Sequence, residues 1–297
     1  MMRAWTEILP LVTLAAPLVA GLVAATGVTL VDTAMLGPLG ATSLAAVSLT
    51  TSVAIMFYAA LYGFAAPVGL FAGRCFGGGN QTGIGHIAYH GGLLATIGGM
   101  TGALLMASGL LLLPHAGLPS EVVAVIGPYW LALSASMLAF THAMVVKNLL
   151  DATGRPWLSV TLMLLPALLN IFFNWLLIYG NWGFPRLGLT GAGIASLAAQ
   201  MIGATVGWVV VRHAPSLRAW WGEAHLDHAE LGRQWREGRP MTVQLFFEGA
   251  AVAVAGVMIG YFGAVALAGN QIASSVGGTL YMLPLGVAAA VTIRIAQ

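Results

Sequence analysis

The chain is a succession of long apolar runs separated by short polar or glycine-rich intervals. Eight runs are distinguished, over residues 9–36, 44–72, 91–113, 122–146, 157–179, 189–211, 241–262 and 269–293. About 20 apolar residues carry one α-helix across hydrocarbon, and each run meets that length. None shows the apolar–polar alternation over about 10 residues that marks a membrane barrel strand. Backbone polar groups in lipid must be bonded within a helix or a closed barrel, so continuous runs predict helices. The pattern therefore predicts an all-α integral membrane protein, a polytopic helix bundle. The first run is longer than the 7–15 apolar residues of a cleaved signal peptide, and further spans follow it. Pro10 and Pro17 predict a kink there, because each removes an internal hydrogen bond.

The one long polar interval is 212–240, with mixed charges and Trp220, Trp221 and Trp235. It predicts a cytoplasmic linker carrying an interfacial helix, with tryptophans at headgroup depth and charges in water. The chain then divides into a six-helix lobe (1–211), the linker (212–240) and a helix pair (241–297). A short repeat connects the two ends. Leu39–Ala45 reads LGATSLA and Phe262–Ala268 reads FGAVALA, with Gly, Ala, Leu and Ala coincident. Each copy follows a helix holding one acid, Asp32 or Glu248, and precedes a helix ending near an arginine, Arg74 or Arg294. Parallel repeats are common in transporters. The last two helices therefore read as the restart of the first two, giving one six-helix lobe plus the first two helices of a second. On that reading four helices are lacking after Gln297; the other reading is an intact eight-helix protein.

Composition narrows the function. The chain of 297 residues is 59% hydrophobic and only 7% charged, against about 25% charged in a soluble domain. That excludes a cytosolic enzyme and a disordered protein. The 11 Lys and Arg residues form no stripe able to neutralise phosphates, so no nucleic-acid partner is expected. The 39 glycines suit closely packed membrane helices, and the single Cys75 excludes a disulfide framework. With a cytoplasmic N-terminus, Arg3, Arg74, Lys147, Arg155, Arg212, Arg218, Arg233, Arg236, Arg239 and Arg294 fall inside and Arg186 alone falls outside. The positive-inside bias thus predicts a multi-pass protein of the cell (inner) membrane with its N-terminus in the cytoplasm.

Two acids lie within the apolar runs. Asp32 is late in the first, and Glu248 is about 10 Å into the seventh at 1.5 Å per residue. A carboxylate at the bilayer centre costs about 2.5–3.5 kcal/mol on the insertion scale. Neither acid has a base at its depth, so protonation or cation binding is the expected resolution; for Asp32 a wet interfacial position is the alternative. Asn170 and Asn174 are four apart and share a helix face. Their amide oxygens suit a small hard cation beside Asp32, and interhelical hydrogen bonding is the bland reading. Asn270, Gln271 and Tyr281 in the last run read as polar glue or cavity lining. Phe246 and Phe247 beside Glu248 read as an aromatic wall for an organic cation, or as lipid-facing residues. Lys147 and Asp151, next to Arg155, read as an interfacial ion pair.

His86 and His90 have zinc-like i,i+4 spacing but no third ligand nearby in sequence. His225, Asp227 and His228, with Glu223 and Glu230, read as a solvated linker face. No metal site is expected beyond Na⁺ at Asp32, Asn170 and Asn174. There is no GxxxxGK[ST], HExxH or GxSxG, so nothing supports an enzyme or a cofactor.

Three segments carry a family resemblance. They are VDTAMLGPLGATSLAAVSL (31–49), NLLDATGRPWLSVTLMLLPALLNIFFNWLLIYG (148–180) and the run opening FFEGAAVAVAGVMIG and ending at Gln297 (246–297). They resemble the NorM-like branch of the multidrug and toxic compound extrusion (MATE) transporters. The resemblance implies twelve helices in two lobes around a central cavity, in a protein that is monomeric when full length. It implies export of cationic, often aromatic compounds in exchange for Na⁺ or H⁺. It places the first-helix aspartate at Asp32 and the paired fifth-helix positions at Asn170 and Asn174. The sixth-helix hydroxyl falls at Ser196, the seventh-helix glutamate at Glu248 and the eighth-helix glutamine at Gln271. Asn270 stands where many relatives carry His. Asp32, Asn170, Asn174 and Ser196 are thus the expected cation-binding set; Glu248, Gln271, Tyr281 and Phe247 are expected to meet substrate or couple protons. The rival functions are a lipid-linked precursor flippase of a related fold and an inactive remnant.

Overall fold

A computed structural model describes residues 30–221 and 225–296, with side chains as far as Tyr281 and at Pro284. The expected kink at Pro10 and Pro17, Arg3, Glu223 and the side chain of Arg294 lie outside the described residues. The described helices are α1 (Leu30–Leu39), α2 (Ala41–Gly77), α3 (Gln81–Gly109), α4 (Ser120–Ala152), α5 (Pro156–Tyr179), α6 (Gly188–His213), α7 (His228–Gly260) and α8 (Ala264–Ala296). No strand occurs among the described residues. Helices α2 to α7 are each long and apolar enough to cross a bilayer. Prolines inside them, such as Pro67, Pro128, Pro166 and Pro240, are tolerated because packed neighbours re-satisfy the freed backbone groups.

Helices α2 and α4 are the hubs. α2 packs on α3, α4, α7 and α8; α4 packs on α2, α3, α5 and α6. Two apolar cores fill the bundle, one around Leu36, Leu49, Met106, Ile126, Trp130 and Leu267, the other around Phe71, Ile84, Ala88, Leu149, Leu217 and Trp220. The second core lies at the arginine-rich end, where α2, α4 and α6 finish. The first lies at the arginine-poor end, where Phe172, Trp175 and Trp182 cluster at ring distances of 5.5–6.3 Å.

Helix starts depart from the apolar runs for identifiable reasons. α3 begins at Gln81 rather than near residue 91, because the Asn80 side chain accepts the Gly83 N–H at 2.9 Å and caps it. α7 begins at His228, so residues 228–240 are helical and continuous with the span. Asp227 caps this start by accepting the Ala229 N–H at 2.8 Å, a bond that holds its carboxyl below the usual carboxylate range. Among the described residues between α6 and α7, a 3-10 turn forms at Arg218–Trp220. Trp220 is enclosed by protein. It is 4% exposed in the second core, under the Arg155 guanidinium at 5.1 Å.

The repeat has a structural counterpart. Gly40 and Gly263 have φ of +95° and +100°, and each immediately precedes a helix. The Leu44 N–H donates to Gly40 O at 3.3 Å, and the Leu267 N–H to Gly263 O at 3.2 Å. The two equivalent leucines are both buried. Gly40 combines its φ with ψ 173°, a region open essentially to glycine alone. No atom would contact a Cβ there, so Gly40→Ala isolates backbone strain. The variant is expected to lose about 1–3 kcal/mol, read as a lower thermal midpoint. Gly269→Ala, inside α8 and also in open space, is expected to show no loss.

Candidate cation site and lobe junction

The face of α5 carrying Asn170 and Asn174 turns inward, leaving them 6% and 1% exposed. The Asn174 Nδ2 donates to Asp32 Oδ1 at 2.5 Å and to Asn170 Oδ1 at 3.1 Å. Asn170 Nδ2 in turn donates to Ser196 Oγ at 2.9 Å. Three helices, α1, α5 and α6, thus contribute one continuous polar chain. α6 comes close enough because Gly191 has no side chain: a Cβ there would lie 2.5 Å from Leu177 O. All four residues expected to bind a cation are therefore adjacent.

Two features of this chain bear on its chemistry. Asp32 has no Lys, Arg or His partner among the described residues. The Asn174 Oδ1 is buried and accepts no hydrogen bond. A buried acceptor left unpaired costs about 1–3 kcal/mol, and a positive partner would relieve both it and the carboxylate. Carboxylate, amide and hydroxyl oxygens form the donor set of a small hard cation.

Glu248 lies elsewhere. It is exposed on α7 and has no hydrogen-bond or ion-pair partner among the described residues; no bond joins it to Asp32. The adjacent Gly249 is buried against α2, where its Cβ would lie 2.5 Å from Met56 Cα. Phe246 meets Phe57 of α2 edge-on at 6.3 Å and Phe247 at 5.8 Å. Phe247, next to Glu248 in sequence, and Tyr281 on α8 are 68% and 62% exposed.

Gln271 does not present its amide to an open surface. It is 4% exposed and bonded to Thr33, Thr51 and Ser275. Asn270 Nδ2 donates to Ser48 Oγ at 2.9 Å. These hydroxyl partners carry no sequence signal of their own, since Ser and Thr are common in membrane helices. Only the adjacency of Thr33 to Asp32 singles one of them out.

The Lys147–Asp151 ion pair forms at 2.7 Å. The histidines come together more than their spacing indicates: His86 lies 4.4 Å from His90 and 5.3 Å from His225 between ring centroids. Both His90 nitrogens are engaged, Nδ1 with His86 O at 2.8 Å and Nε2 accepting the Asp227 N–H at 2.9 Å. No three metal-ligating side chains are arranged to hold an ion among the described residues.

Comparison with known proteins agrees with this architecture. The probable multidrug resistance protein NorM of Neisseria meningitidis serogroup B is 28% identical over 97% of this chain and 64% of its own length. That of Rhizobium meliloti is 30% identical over 95% of this chain and 61% of its own length. The chain thus spans about three fifths of these curated relatives. Among solved structures, an inward-facing MATE family multidrug resistance transporter of the MOP superfamily superposes with a TM-score of 0.77 at 23% identity, covering 90% of this chain and 60% of that one. The eukaryotic MATE transporter AtDTX14 gives 0.77 at 18% identity, over 98% and 65%. The MatE family model matches residues 17–176, more than half of the sequence, and the chain belongs to that family.

Proposed function

We propose that this chain serves secondary active antiport, exporting cationic, often aromatic compounds in exchange for Na⁺ or H⁺. The observation that carries the reading is the Asp32 chain: among the described residues, a carboxylate without a base beside a buried amide oxygen without a donor. The arginine-rich end faces the cytoplasm of the inner membrane by the positive-inside bias, and no cofactor takes part. From the outer side, Asp32 and Glu248 take up the coupling ion. Neutralising a carboxylate removes its attraction for the organic cation, which leaves. After the ion departs inside, the bare carboxylates draw in the next substrate. The oxygen set at Asp32 suits Na⁺, and the solitary Glu248, flanked by Phe246 and Phe247, suits a proton or the organic cation itself. Coupling requires the ion and substrate to compete or to favour opposite states.

A lipid-linked precursor would need a basic group to meet its diphosphate, and none adjoins Asp32, Glu248 or Gln271 among the described residues. The test is ethidium efflux from vesicles containing the 297-residue chain, driven by a Na⁺ or a proton gradient. Dye export by the parent is expected, with at least roughly a ten-fold loss in Asp32→Asn and in Glu248→Gln, within the usual range of coupling energies. Parental efflux from both variants overturns the mechanism, and no gradient-driven efflux by the parent marks the chain as an inactive remnant.

A further inference from the structure

At the arginine-poor end, α8 is joined to α1 and α2 by a cluster of hydrogen bonds among the described residues. Gln271 Nε2 donates to Thr33 Oγ1 at 3.1 Å. The Thr33 and Ser275 hydroxyl oxygens are 2.7 Å apart, and Ser275 Oγ donates to Gln271 O at 2.8 Å. Gln271 Nε2 also donates to Ser275 Oγ at 3.3 Å, so the Gln271 amide and the Thr33 and Ser275 hydroxyls meet in one cluster. Thr51 Oγ1, which also donates to Val47 O at 2.8 Å and Ser48 O at 3.2 Å, reaches Gln271 Oε1 at 3.2 Å. Thr33, Gln271 and Ser275 are 5%, 4% and 3% exposed.

Such a cluster has two acceptable states. Closed, the Gln271 amide and the Thr33 and Ser275 hydroxyls pair with protein groups; fully open, water pairs them. A partial separation leaves buried groups unsatisfied and is disfavoured. Thr33 also follows Asp32 directly, and successive side chains on a helix point about 100° apart. One face of α1 therefore meets Asn174 through Asp32, and the adjacent face meets α8 through Thr33. Any rotation of α1 imposed at Asp32 moves Thr33 within the cluster.

We propose that Thr33, Gln271 and Ser275, supported by Thr51, form a latch that closes the arginine-poor end of the junction between α1–α2 and α8, and that Thr33 transmits ion occupancy at Asp32 to it. Gln271 is on this assignment a positioning residue for the conformational cycle rather than a substrate contact. The transmission step rests on the proposed ion site; the latch itself does not.

The test uses spin labels at Ala41, at the exposed start of α2, and Val265, 79% exposed at the start of α8. Distances between them are measured by double electron–electron resonance in liposomes, with and without Na⁺. Without ion, the Thr33→Val/Ser275→Ala chain is expected to gain a longer-distance population. The open-to-closed ratio should rise on the order of ten-fold or more, as the loss of two buried hydrogen bonds requires. Thr33→Ser, which keeps the hydroxyl, should retain the parental distribution, and a cooperative thermal unfolding transition of Thr33→Val/Ser275→Ala shows that the double variant is folded. An unchanged distribution in Thr33→Val/Ser275→Ala overturns the latch. With Na⁺, the parent should shift and Thr33→Val should not, although both still bind the ion in a thermal-shift titration. A parental response in Thr33→Val overturns the transmission step. Absence of Na⁺ binding in the parent overturns Na⁺ as the ion at Asp32 and with it the Na⁺-driven transmission step, leaving the ion-free comparison to judge the latch.

Discussion

Asp32→Asn is expected to abolish Na⁺-dependent stabilisation of the folded chain while leaving the fold intact. The substitution keeps the shape of the side chain and removes its charge. Its Oδ1 can still accept from Asn174 Nδ2, so the chain from α1 through Asn170 to Ser196 is kept. What goes is the attraction for a cation, about 4 kcal/mol for unit charges 4 Å apart at an effective dielectric of 20. That corresponds to roughly a thousand-fold weaker binding. A ligand that binds only the folded state raises its stability by RT ln(1 + [L]/Kd), so the parent's thermal midpoint should climb with Na⁺ and the variant's should stay level. Without ion the variant should be no less stable than the parent, because an uncompensated carboxylate has been removed from an apolar surrounding. A Na⁺-dependent rise of parental size in Asp32→Asn would show that the ion binds elsewhere.

The meeting of Asp32, Asn170 and Asn174 was legible in the sequence because polar residues in apolar runs are few and their helical spacing is fixed. Asn170 and Asn174 had to share a face, and Asp32 lay at a matching depth. The resemblance supplied Ser196, and its hydroxyl does meet Asn170. The start of α7 was not legible from hydropathy, because residues 228–240 are polar. They are helical because Asp227 caps them and because their contacts are with protein. Gln234 Nε2 reaches Ile87 O at 3.3 Å, and Arg233 lies over Phe71 at 4.3 Å. Trp220 reads as interfacial because a tryptophan beside charges usually is; that its ring is also enclosed in a core beneath Arg155 has no local sequence signal. The contacts of His86 with His225, and of Gln271 with Thr33, join segments more than a hundred residues apart. No local pattern reports such pairs.

The second large effect is expected from Gly249→Val. α2 and α7 approach until backbone meets backbone, and glycine is used on both helices. A Cβ at Gly63 of α2 would lie 2.7 Å from Met241 O, and one at Gly249 of α7 would lie 2.5 Å from Met56 Cα. Neither neighbour is a flexible side chain that could swing aside, so even a methyl group must push the helices apart. Overpacking of this kind costs about 1–3 kcal/mol, occasionally more. The two branches of valine should place this variant at the upper end of that range, read as a lower thermal midpoint in detergent. Gly232→Ala on the same helix, where a Cβ meets nothing, should be neutral or stabilising because alanine is the better helix former. A parental midpoint in Gly249→Val would mean that the two helices do not touch here. The consequence reaches beyond stability. Glu248 is the next residue, and the contact of Gly249 with Met56 sets its direction away from α2. Phe246 meets Phe57 across the same seam, so separating the helices would re-aim the acid and its aromatic surroundings together. Gly249→Val should therefore lose dye export even at temperatures where the protein remains folded.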